Sequence, residues 1–257
     1  MAARSMWSGS ISFGLVNVPV KLYTAVEPKT VRFREVHLSD GARIEHRRFC
    51  SREQREVPYA EVVKGFEIAP GEYVVVDREE IAAAAGPRSH VVDVEAFVDS
   101  AAIDPVFYER AYYLGAGRGG EDAYRLLLEA LRRAGRAAIG RFPFHNREYL
   151  AAIRPHGRVL ALHTMRFADE VVPGDEIEVA DPQRPPTARE IEMAERLVAS
   201  LHRDFDPRAY RDEYREAVLR LIERKAAGET IVAAEPEPPQ QPEDLAAALE
   251  ASLAGSR

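Results

Sequence analysis

The chain has 257 residues, of which 46% are hydrophobic and 30% charged, and it contains one cysteine. A chain of this length can bury a sizeable core, and a single cysteine excludes an intrachain disulfide, so we expect a globular protein of the reducing cytoplasm. No apolar run approaches the roughly 20 residues that span a bilayer, which argues against a secretory signal or a membrane anchor.

The formal net charge is −7, but it is unevenly distributed along the chain. Residues 1–58 carry ten basic and six acidic side chains, and residues 110–166 carry eleven and four. The segments 59–109 and 167–257 are strongly acidic. Segregated charge suits a protein that meets phosphate on one face and stays soluble elsewhere. An ordinary solvated surface, or a structural dimer whose basic blocks pair with its own acidic segments, has the same composition.

The first predicted element is a bent strand. Apolar residues alternate from Ile11 to Leu15, shift phase near Gly14, and alternate again from Val16 to Leu22. A period of two predicts a strand, and the phase change predicts a bend or bulge.

Residues 30–50 are predicted to form a hairpin, because a turn signal at Ser39, Asp40 and Gly41 separates two short apolar series. The predicted strands are rich in arginine. A basic two-stranded ribbon can lie along a nucleic-acid groove, although a hairpin with one solvated face has the same pattern.

The middle of the chain predicts a mostly antiparallel sheet or barrel. The predicted strands are 72–77, 91–98, 111–114, 137–144, 149–155 and 159–164. Between the third and fourth of them, Ala123, Leu127 and Leu131 share one helical face. The preceding Gly115–Gly120 stretch lacks the lysine of a phosphate-binding loop and is predicted to be a flexible connection.

A helical arm is predicted over residues 185–230. Thr187 and Glu190 form a capping-box pattern at the start of one helix, and Asp206-Pro207 predicts the start of a second, which ends before Gly228.

Residues 231–242 are predicted to be a Pro-rich linker, and residues 243–257 a short amphipathic helix. Leu245, Leu249 and Leu253 share a face of that helix and are candidate partner-binding residues, although a frayed tail is the alternative.

Several segments, in order, resemble the bacterial Ku proteins, which bind the ends of broken DNA. They are Met6–Tyr23 (MWSGSISFGLVNVPVKLY), Arg32–His37, Gly41–Cys50, Gly71–Val76, Ala137–Phe142 and Asp204–Tyr214. The resemblance covers essentially the whole chain. It implies a mixed, mainly β fold, with a Ku-type β-barrel core over residues 1–184, a basic bridging ribbon at about residues 30–65, and the C-terminal helical arm.

The resemblance also implies a function. Two copies form an intertwined homodimer, a ring through which a double-stranded DNA end is threaded regardless of its sequence. The ring serves non-homologous end joining and recruits an ATP-dependent DNA ligase, ligase D, through the region that here includes the leucine helix. Such a protein works in the cytoplasm at the nucleoid.

The candidate DNA-binding residues are arginines, whose planar fork suits phosphate. Those expected in the bridge are Arg34, Arg43, Arg47, Arg48, Arg52 and Arg55, and those in the second basic block are Arg125, Arg132, Arg141, Arg147 and Arg154.

Two features depart from many Ku relatives. Their bridge carries a Cys-x-x-Cys pair suggestive of zinc, whereas Cys50 is followed three residues later by Glu53. His37 and His46 alone do not complete a ligand set, so we expect neither a metal nor a cofactor. In addition, a lysine-rich tail found in some relatives is absent from this sequence.

Other functions fit parts of the sequence. A Gam-like DNA end-protection protein, or a general DNA-coating protein without ligase recruitment, would show the same charge pattern. An enzyme is the remaining alternative, with Asp77, Glu79 and Glu80, or His145–Arg147 and His156, as candidate catalytic groups. Because no nucleophile-and-base pattern accompanies them, we expect the protein not to be an enzyme.

Overall fold

A computed structural model describes residues 4–84, 90–144, 147–180 and 184–229 of the chain. The strands are β1 (Trp7–Phe13), β2 (Val16–Thr24), β3 (Phe49–Cys50), β4 (Arg55–Glu56), β5 (Lys64–Ala69), β6 (Glu72–Val76), β7 (Val91–Asp99), β8 (Tyr108–Ala116), β9 (Arg136–Phe144), β10 (Arg147–His156) and β11 (Val159–Met165). The helices are α1 (Arg78–Ala84), α2 (Glu121–Ala134), α3 (Ala188–Ser200) and α4 (Glu213–Ala226).

Seven strands close into a barrel in the order β1-β2-β8-β11-β10-β9-β7. Neighbouring strands are antiparallel, except that β1 and β7 meet in parallel through Ser10–Ser12 and Val91–Asp93. The six strands predicted in the middle of the chain are present close to their predicted bounds. The predicted β-barrel fold is therefore confirmed.

The barrel interior is the hydrophobic core. Alternate residues of each strand point inward, as Val18, Val20 and Leu22 of β2 do, and all three are buried. Helix α2 adds its apolar face to the same core through Tyr124 and Leu127, among others. The arrangement follows from the period of two in the strands and the period of 3.6 in α2.

The predicted bent strand at the N-terminus is instead a hairpin. Strands β1 and β2 pair antiparallel with Phe13 opposite Val16, so only Gly14 and Leu15 form the turn. Gly14 has a φ of 58°, which glycine adopts at no steric cost in the first central position of such a turn. The phase of alternation changes because the chain reverses direction.

The glycine-rich stretch after β8 is packed rather than a flexible connection. Gly117 donates its N–H to the carbonyl of Pro19 at 2.8 Å. A β-carbon at Gly117 would lie 2.9 Å from atoms of Pro19, and one at Gly120 would lie 2.8 Å from it. These glycines allow the loop to lie directly against β2 before α2 begins.

The predicted start of the first arm helix is confirmed. The Thr187 hydroxyl accepts from the Glu190 N–H, and the Glu190 carboxylate accepts from the Thr187 N–H at 2.7 Å. Arg184 donates to both oxygens of Glu190. The Arg184 guanidinium and the Thr187 N–H hold the pKa of Glu190 far below its usual range.

The predicted start of the second arm helix is wrong by several residues. Asp206 accepts from Arg208 N–H and caps only a short 3-10 turn, Pro207–Ala209. Helix α4 begins at Glu213, where the Asp212 carboxylate accepts from the Arg215 N–H. Two Asp caps follow each other closely, and the chain at Tyr210 between them is extended, so only the second cap opens the long helix.

The described chain divides into two compact units. One comprises the residues up to Pro28 together with Arg34–Glu176, and the other comprises Lys29–Phe33 and the residues from Ile177 onward. The domain bounds expected at 184 and 230 stay predictions. The predicted linker at 231–242 and the leucine helix, with Leu245, Leu249 and Leu253, lie outside the described residues.

None of the helices in the described part of the chain is both long and apolar enough to cross a bilayer.

Candidate nucleic-acid interface

The segment from residue 34 to residue 76, here called the bridge segment, is exposed over nearly its whole length. The structure describes all of it and buries none of its residues, and only Cys50, Val57 and Val76 are even partly covered. Its strands β3 to β6 form two separate two-stranded sheets outside the barrel. Because it buries so little, the segment presents its side chains to solvent.

The hairpin predicted at residues 30–50 is reduced to a short tip. Val36 and Arg43 form a single bridge, and the Ile44 N–H donates to the Glu35 carbonyl at 3.0 Å. Gly41, at a φ of 70°, closes the predicted turn. A two-stranded hairpin that no other layer covers is only marginally stable, which accounts for the short pairing here.

The next turn of the bridge segment is the short hairpin of β3 and β4. Cys50 pairs with Arg55 across it, and its thiol sulfur accepts from the Glu53 N–H at 3.5 Å. The Arg48 guanidinium lies 4.8 Å from the centre of the Tyr59 ring, a cation–π contact that holds the arginine beside the hairpin.

The six candidate arginines of the bridge segment fall into two groups. Arg47 lies 3.1 Å from a Glu56 oxygen, and Arg55 contacts the carboxylates of Glu53 and Glu61. The other four have no carboxylate partner among the described residues, and they are Arg34, Arg43, Arg48 and Arg52. Their positive charge is therefore available to an outside anion.

The hairpin of β5 and β6 is unusual in being apolar and uncovered. Phe66 pairs with Val74 and Gly65 with Val75, so large apolar side chains occupy both faces. Phe66 is 70% exposed and Tyr73 is 58% exposed. An isolated hairpin is marginally stable, and exposing such apolar side chains to water costs free energy, so this sheet has the character of an interface.

The second group of candidate arginines is distributed around the barrel and α2. Arg125 lies on the exposed side of α2 with no carboxylate partner among the described residues. Arg132 donates to the Glu129 carboxylate at 2.9 Å and to the Gly157 carbonyl at 2.5 Å. Arg147 lies over the ring of Tyr149 at 5.6 Å. The structure does not gather these arginines into one cluster on a single element.

Arg141 is the most strongly neutralised of the candidates. Its guanidinium donates to Glu95 of β7 and Glu148 of β10, each at 2.7 Å. The hydrogen bonds that Arg141 donates to Glu148 and Glu95 raise the pKa of the arginine. Arg141 of β9 thus links β7 and β10 through ion pairs and stabilises the barrel wall. Little of its positive charge remains for an outside anion.

Arg154 is held without being neutralised. Its Nε donates to Nε2 of His163 at 3.2 Å, and its guanidinium lies 5.8 Å from the centre of the Tyr108 ring. Burial, together with the charge of Arg154, lowers the pKa of His163 to about 4. The imidazole is therefore neutral at physiological pH and can accept the hydrogen bond.

The acidic cluster considered as a catalytic site is a helix cap. Asp77 accepts from the N–H groups of Glu79 and Glu80, each at 2.8 Å, and the Glu80 carboxylate accepts from the Asp77 N–H. These are the reciprocal bonds of a helix start, here that of α1. His145 lies outside the described residues.

The candidate metal ligands are dispersed. His46 pairs with Glu35 at 2.9 Å and His37 with Asp40 at 3.1 Å, each within the bridge segment. Within the described ranges, no three His, Cys, Asp or Glu side chains converge as metal ligands would.

Sequence reasoning did not single out the tyrosines that accompany the arginines. Tyr59, Tyr108 and Tyr149 each carry a guanidinium over the ring. In β10 the alternation could have shown that Arg154 and Tyr149 point to opposite faces, but the pairing of Arg154 with Tyr108 depends on strand order.

The sequence of the chain is similar to that of known proteins over nearly its whole length. The family model of the Ku70/Ku80 beta-barrel domain matches residues 12–193. The chain is 50% identical over 257 residues to a protein of Anaeromyxobacter sp. (strain K) named "Non-homologous end joining protein Ku", a match covering 99% of this chain and 86% of that protein. Proteins with the same name from Solibacter usitatus and Heliobacterium modesticaldum are each 39% identical to this chain. Those matches cover 98% of this chain and 93% and 92% of the two relatives.

Proposed function

The chain belongs to the Ku family, and on that premise we propose that it binds the ends of double-stranded DNA and acts in repair by non-homologous end joining. Its relatives carry that process in their names. We propose that it is a binding protein rather than an enzyme, and that it acts at the nucleoid, where the DNA lies.

The observation that carries the proposal is a set of exposed arginines in the bridge segment that carboxylates do not neutralise. Arg34, Arg43 and Arg52 have no carboxylate partner in the part of the chain that the structure describes. Cations on an extended segment can follow a phosphate backbone, and phosphate contacts position a protein without reading sequence. The remaining candidate arginines stay in the proposal as secondary contacts, and Arg141 ranks last because two carboxylates already hold it.

We further propose that two copies assemble into a ring around the duplex. The support is the apolar β5–β6 hairpin, whose Phe66 and Val74 are exposed on one face and Tyr73 and Val75 on the other. Covering these side chains with a second copy would remove apolar surface from water and stabilise a hairpin that is marginal alone. A closed ring accounts for recognition of ends, since a duplex must enter it by threading.

Recruitment of the ligase is assigned to the C-terminal segment. The proposed contacts are Leu245, Leu249 and Leu253, spaced four residues apart beyond a Pro-rich stretch. An amphipathic helix with one apolar face typically docks in a partner's groove. The proposed partner is the ATP-dependent DNA ligase D.

The first experiment compares linear with covalently closed circular DNA of the same sequence. We expect the protein to retain the linear form and to release the circle, and binding to weaken steeply as salt rises, because counterions are released from the phosphates. Equal retention of both forms contradicts the ring and favours a general DNA-coating protein. Light scattering of the free protein measures whether two copies assemble.

The second experiment removes residues 236–257. We expect DNA binding to stay intact, since the arginines of the bridge segment remain, and stimulation of ligase D to be lost. Undiminished stimulation by the shortened chain would contradict the assignment of the ligase contact. End protection without any ligase stimulation by the full chain would favour a Gam-like function.

A further inference from the structure

We propose that the outer wall of the barrel carries a second nucleic-acid site, which takes an unpaired DNA strand. The site is a patch of basic and aromatic side chains on four adjacent strands, here called the wall patch. Its members are Lys21, Tyr23, Tyr113, Arg154 and His156. The inference rests on the proposed function for its ligand, because broken ends carry single-stranded overhangs.

Strand register brings the wall patch together. Tyr23 of β2 lies opposite Tyr113 of β8, and Tyr113 lies opposite Ala161 of β11. Ala161 in turn lies opposite Arg154 of β10. Cross-strand partners share one face of a sheet, so this row crosses β2, β8, β11 and β10 on a single face.

That face is the outside of the barrel. The residues on either side of the row, Leu22, Leu114 and Leu160, are fully buried in the core. Since successive side chains of a strand point to opposite faces, Tyr23, Tyr113 and Ala161 point outward. Lys21 and His156, two residues along from members of the row, share this direction.

A small residue at the centre lets the larger side chains lie over the wall. Ala161 is only 2% exposed although it points outward, because its neighbours cover it. The ring of Tyr113 stacks on that of His156, with centroids 5.5 Å apart and planes 22° from parallel. The Tyr23 ring lies close to Gly115, where an added β-carbon would meet it at 3.0 Å. Tyr23 and Tyr113, both partly exposed, and the exposed His156 thereby place three aromatic rings on this wall.

The wall patch contains two cations, Arg154 and Lys21. Arg154 is fixed by its bond to His163 and its contact with Tyr108, and no carboxylate among the described residues neutralises it. Lys21 is exposed at the other edge of the patch. On the same face of β10, Glu148 lies at the far end of the strand and is bonded to Arg141. Neither Lys21 nor Arg154 therefore has a carboxylate partner within the described ranges of the chain.

Aromatic rings beside free cations suit a single strand better than a duplex. Bases of an unpaired strand can stack on side chains while the backbone follows the positive charge, and this mode is tolerant of sequence. In a duplex every base face except those of the two terminal pairs is stacked on a neighbouring pair and cannot reach Tyr113 or His156. The wall patch therefore offers a site for the overhang, in addition to the bridge segment.

The experiment measures fluorescence anisotropy of two labelled probes, an oligothymidine of about 20 nucleotides and a blunt duplex of equal length. We expect the full-length protein to bind both. Tyr113→Leu and His156→Gln should each weaken oligothymidine binding about fivefold or more, the effect of losing one stacked base, and leave the blunt duplex affinity unchanged. Tyr113→Phe keeps the ring and should bind oligothymidine as the unaltered protein does.

Phe97→Leu, which removes an exposed aromatic ring from β7 on another side of the barrel, is the matched control and should change neither affinity. Thermal melting verifies that each variant is folded. Failure of the unaltered protein to bind oligothymidine while it binds the duplex overturns the wall patch and leaves the proposed function standing. Equal losses on both probes, or an effect of Tyr113→Phe as large as that of Tyr113→Leu, also overturn it. Failure of the unaltered protein to bind the duplex would instead contradict the proposed function.

Discussion

Arg154 donates from Nε to Nε2 of His163 at 3.2 Å, across the paired strands β10 and β11. The bond requires an unprotonated Nε2, and burial together with the nearby charges of Arg154 and His156 lowers the pKa of His163 to about 4. A cation on the barrel wall is thus oriented by a neutral histidine. The orientation lasts only while that histidine stays unprotonated.

The first prediction concerns stability at acidic pH. The pKa of His163 is about 4 in the folded protein and its ordinary value is 6.5, so the unfolded chain binds a proton first as the pH falls. The stability that the folded protein gains from keeping His163 neutral is therefore complete above pH 6.5. It is lost progressively as the pH falls from 6.5 to about 4. Since the imidazole is only half-buried, we expect the free energy of unfolding to fall by about 1–2 kcal/mol over this interval, rather than by the roughly 3 kcal/mol of a fully buried group.

Urea unfolding of the native protein and His163→Gln at several pH values checks this expectation. The variant should lose less stability than the native protein over that interval. His202→Gln, a change at an exposed histidine of the arm, is the control and should follow the native protein. Parallel curves for the native protein and His163→Gln would contradict the prediction.

The second prediction separates free from neutralised arginines. Arg43→Ala and Arg52→Ala each remove an unpaired cation of the bridge segment, so both should weaken binding to all linear duplexes alike. Each should also lower the slope of log affinity against log salt by about 0.9, the change for one phosphate contact. Filter binding at several salt concentrations measures both effects. Arg133→Ala, at an exposed arginine bonded to Glu129 at 2.7 Å, should leave affinity and slope unchanged; a matching loss there would mean that only overall charge matters.

The third prediction concerns the attachment of α2 to the barrel. The Tyr124 hydroxyl donates to the Leu114 carbonyl at 2.5 Å and accepts from the Leu160 N–H at 2.8 Å, and burial raises the pKa of this phenol. Tyr124→Phe leaves both backbone groups without that partner in a buried place, so the free energy of unfolding should fall by about 1–3 kcal/mol. Urea denaturation measures it. The same change at the exposed Tyr210 should have no effect, and an unaltered midpoint for Tyr124→Phe would show that the bond is not stabilising.

The fourth prediction tests the packed glycine loop. Gly117→Ala places a β-carbon 2.9 Å from Pro19, whose backbone cannot move without disturbing β2, so we expect a loss of about 1–3 kcal/mol. Gly174→Ala is the control, because nothing lies within 4 Å of the added carbon. Thermal unfolding of the two variants provides the comparison. A Gly117→Ala protein as stable as Gly174→Ala would contradict the close approach of the loop to β2.

The sequence by itself determined most strands of the barrel and the start of the first arm helix. The period of two in segments such as Val91–Asp99 and Arg136–Phe144 depends only on neighbouring residues, as does the capping box of Thr187 and Glu190. Local patterns were less reliable where two structures satisfy them equally. The phase change at Gly14 fitted a bulge or a reversal, and Asp206 resembled a helix cap as closely as Asp212 did.

Only the tertiary structure decided which arginines keep their charge available. Arg141 is neutralised by Glu95, 46 residues earlier in the chain, because β7 and β9 are neighbours in the closed barrel. Arg154 lies beside Tyr108 and His163 because β10, β11 and β8 are adjacent in a particular register. Ion pairs and ring contacts act over a few ångströms, whereas the sequence orders residues along the chain, so a tally of basic residues reveals a charged block but not its free face.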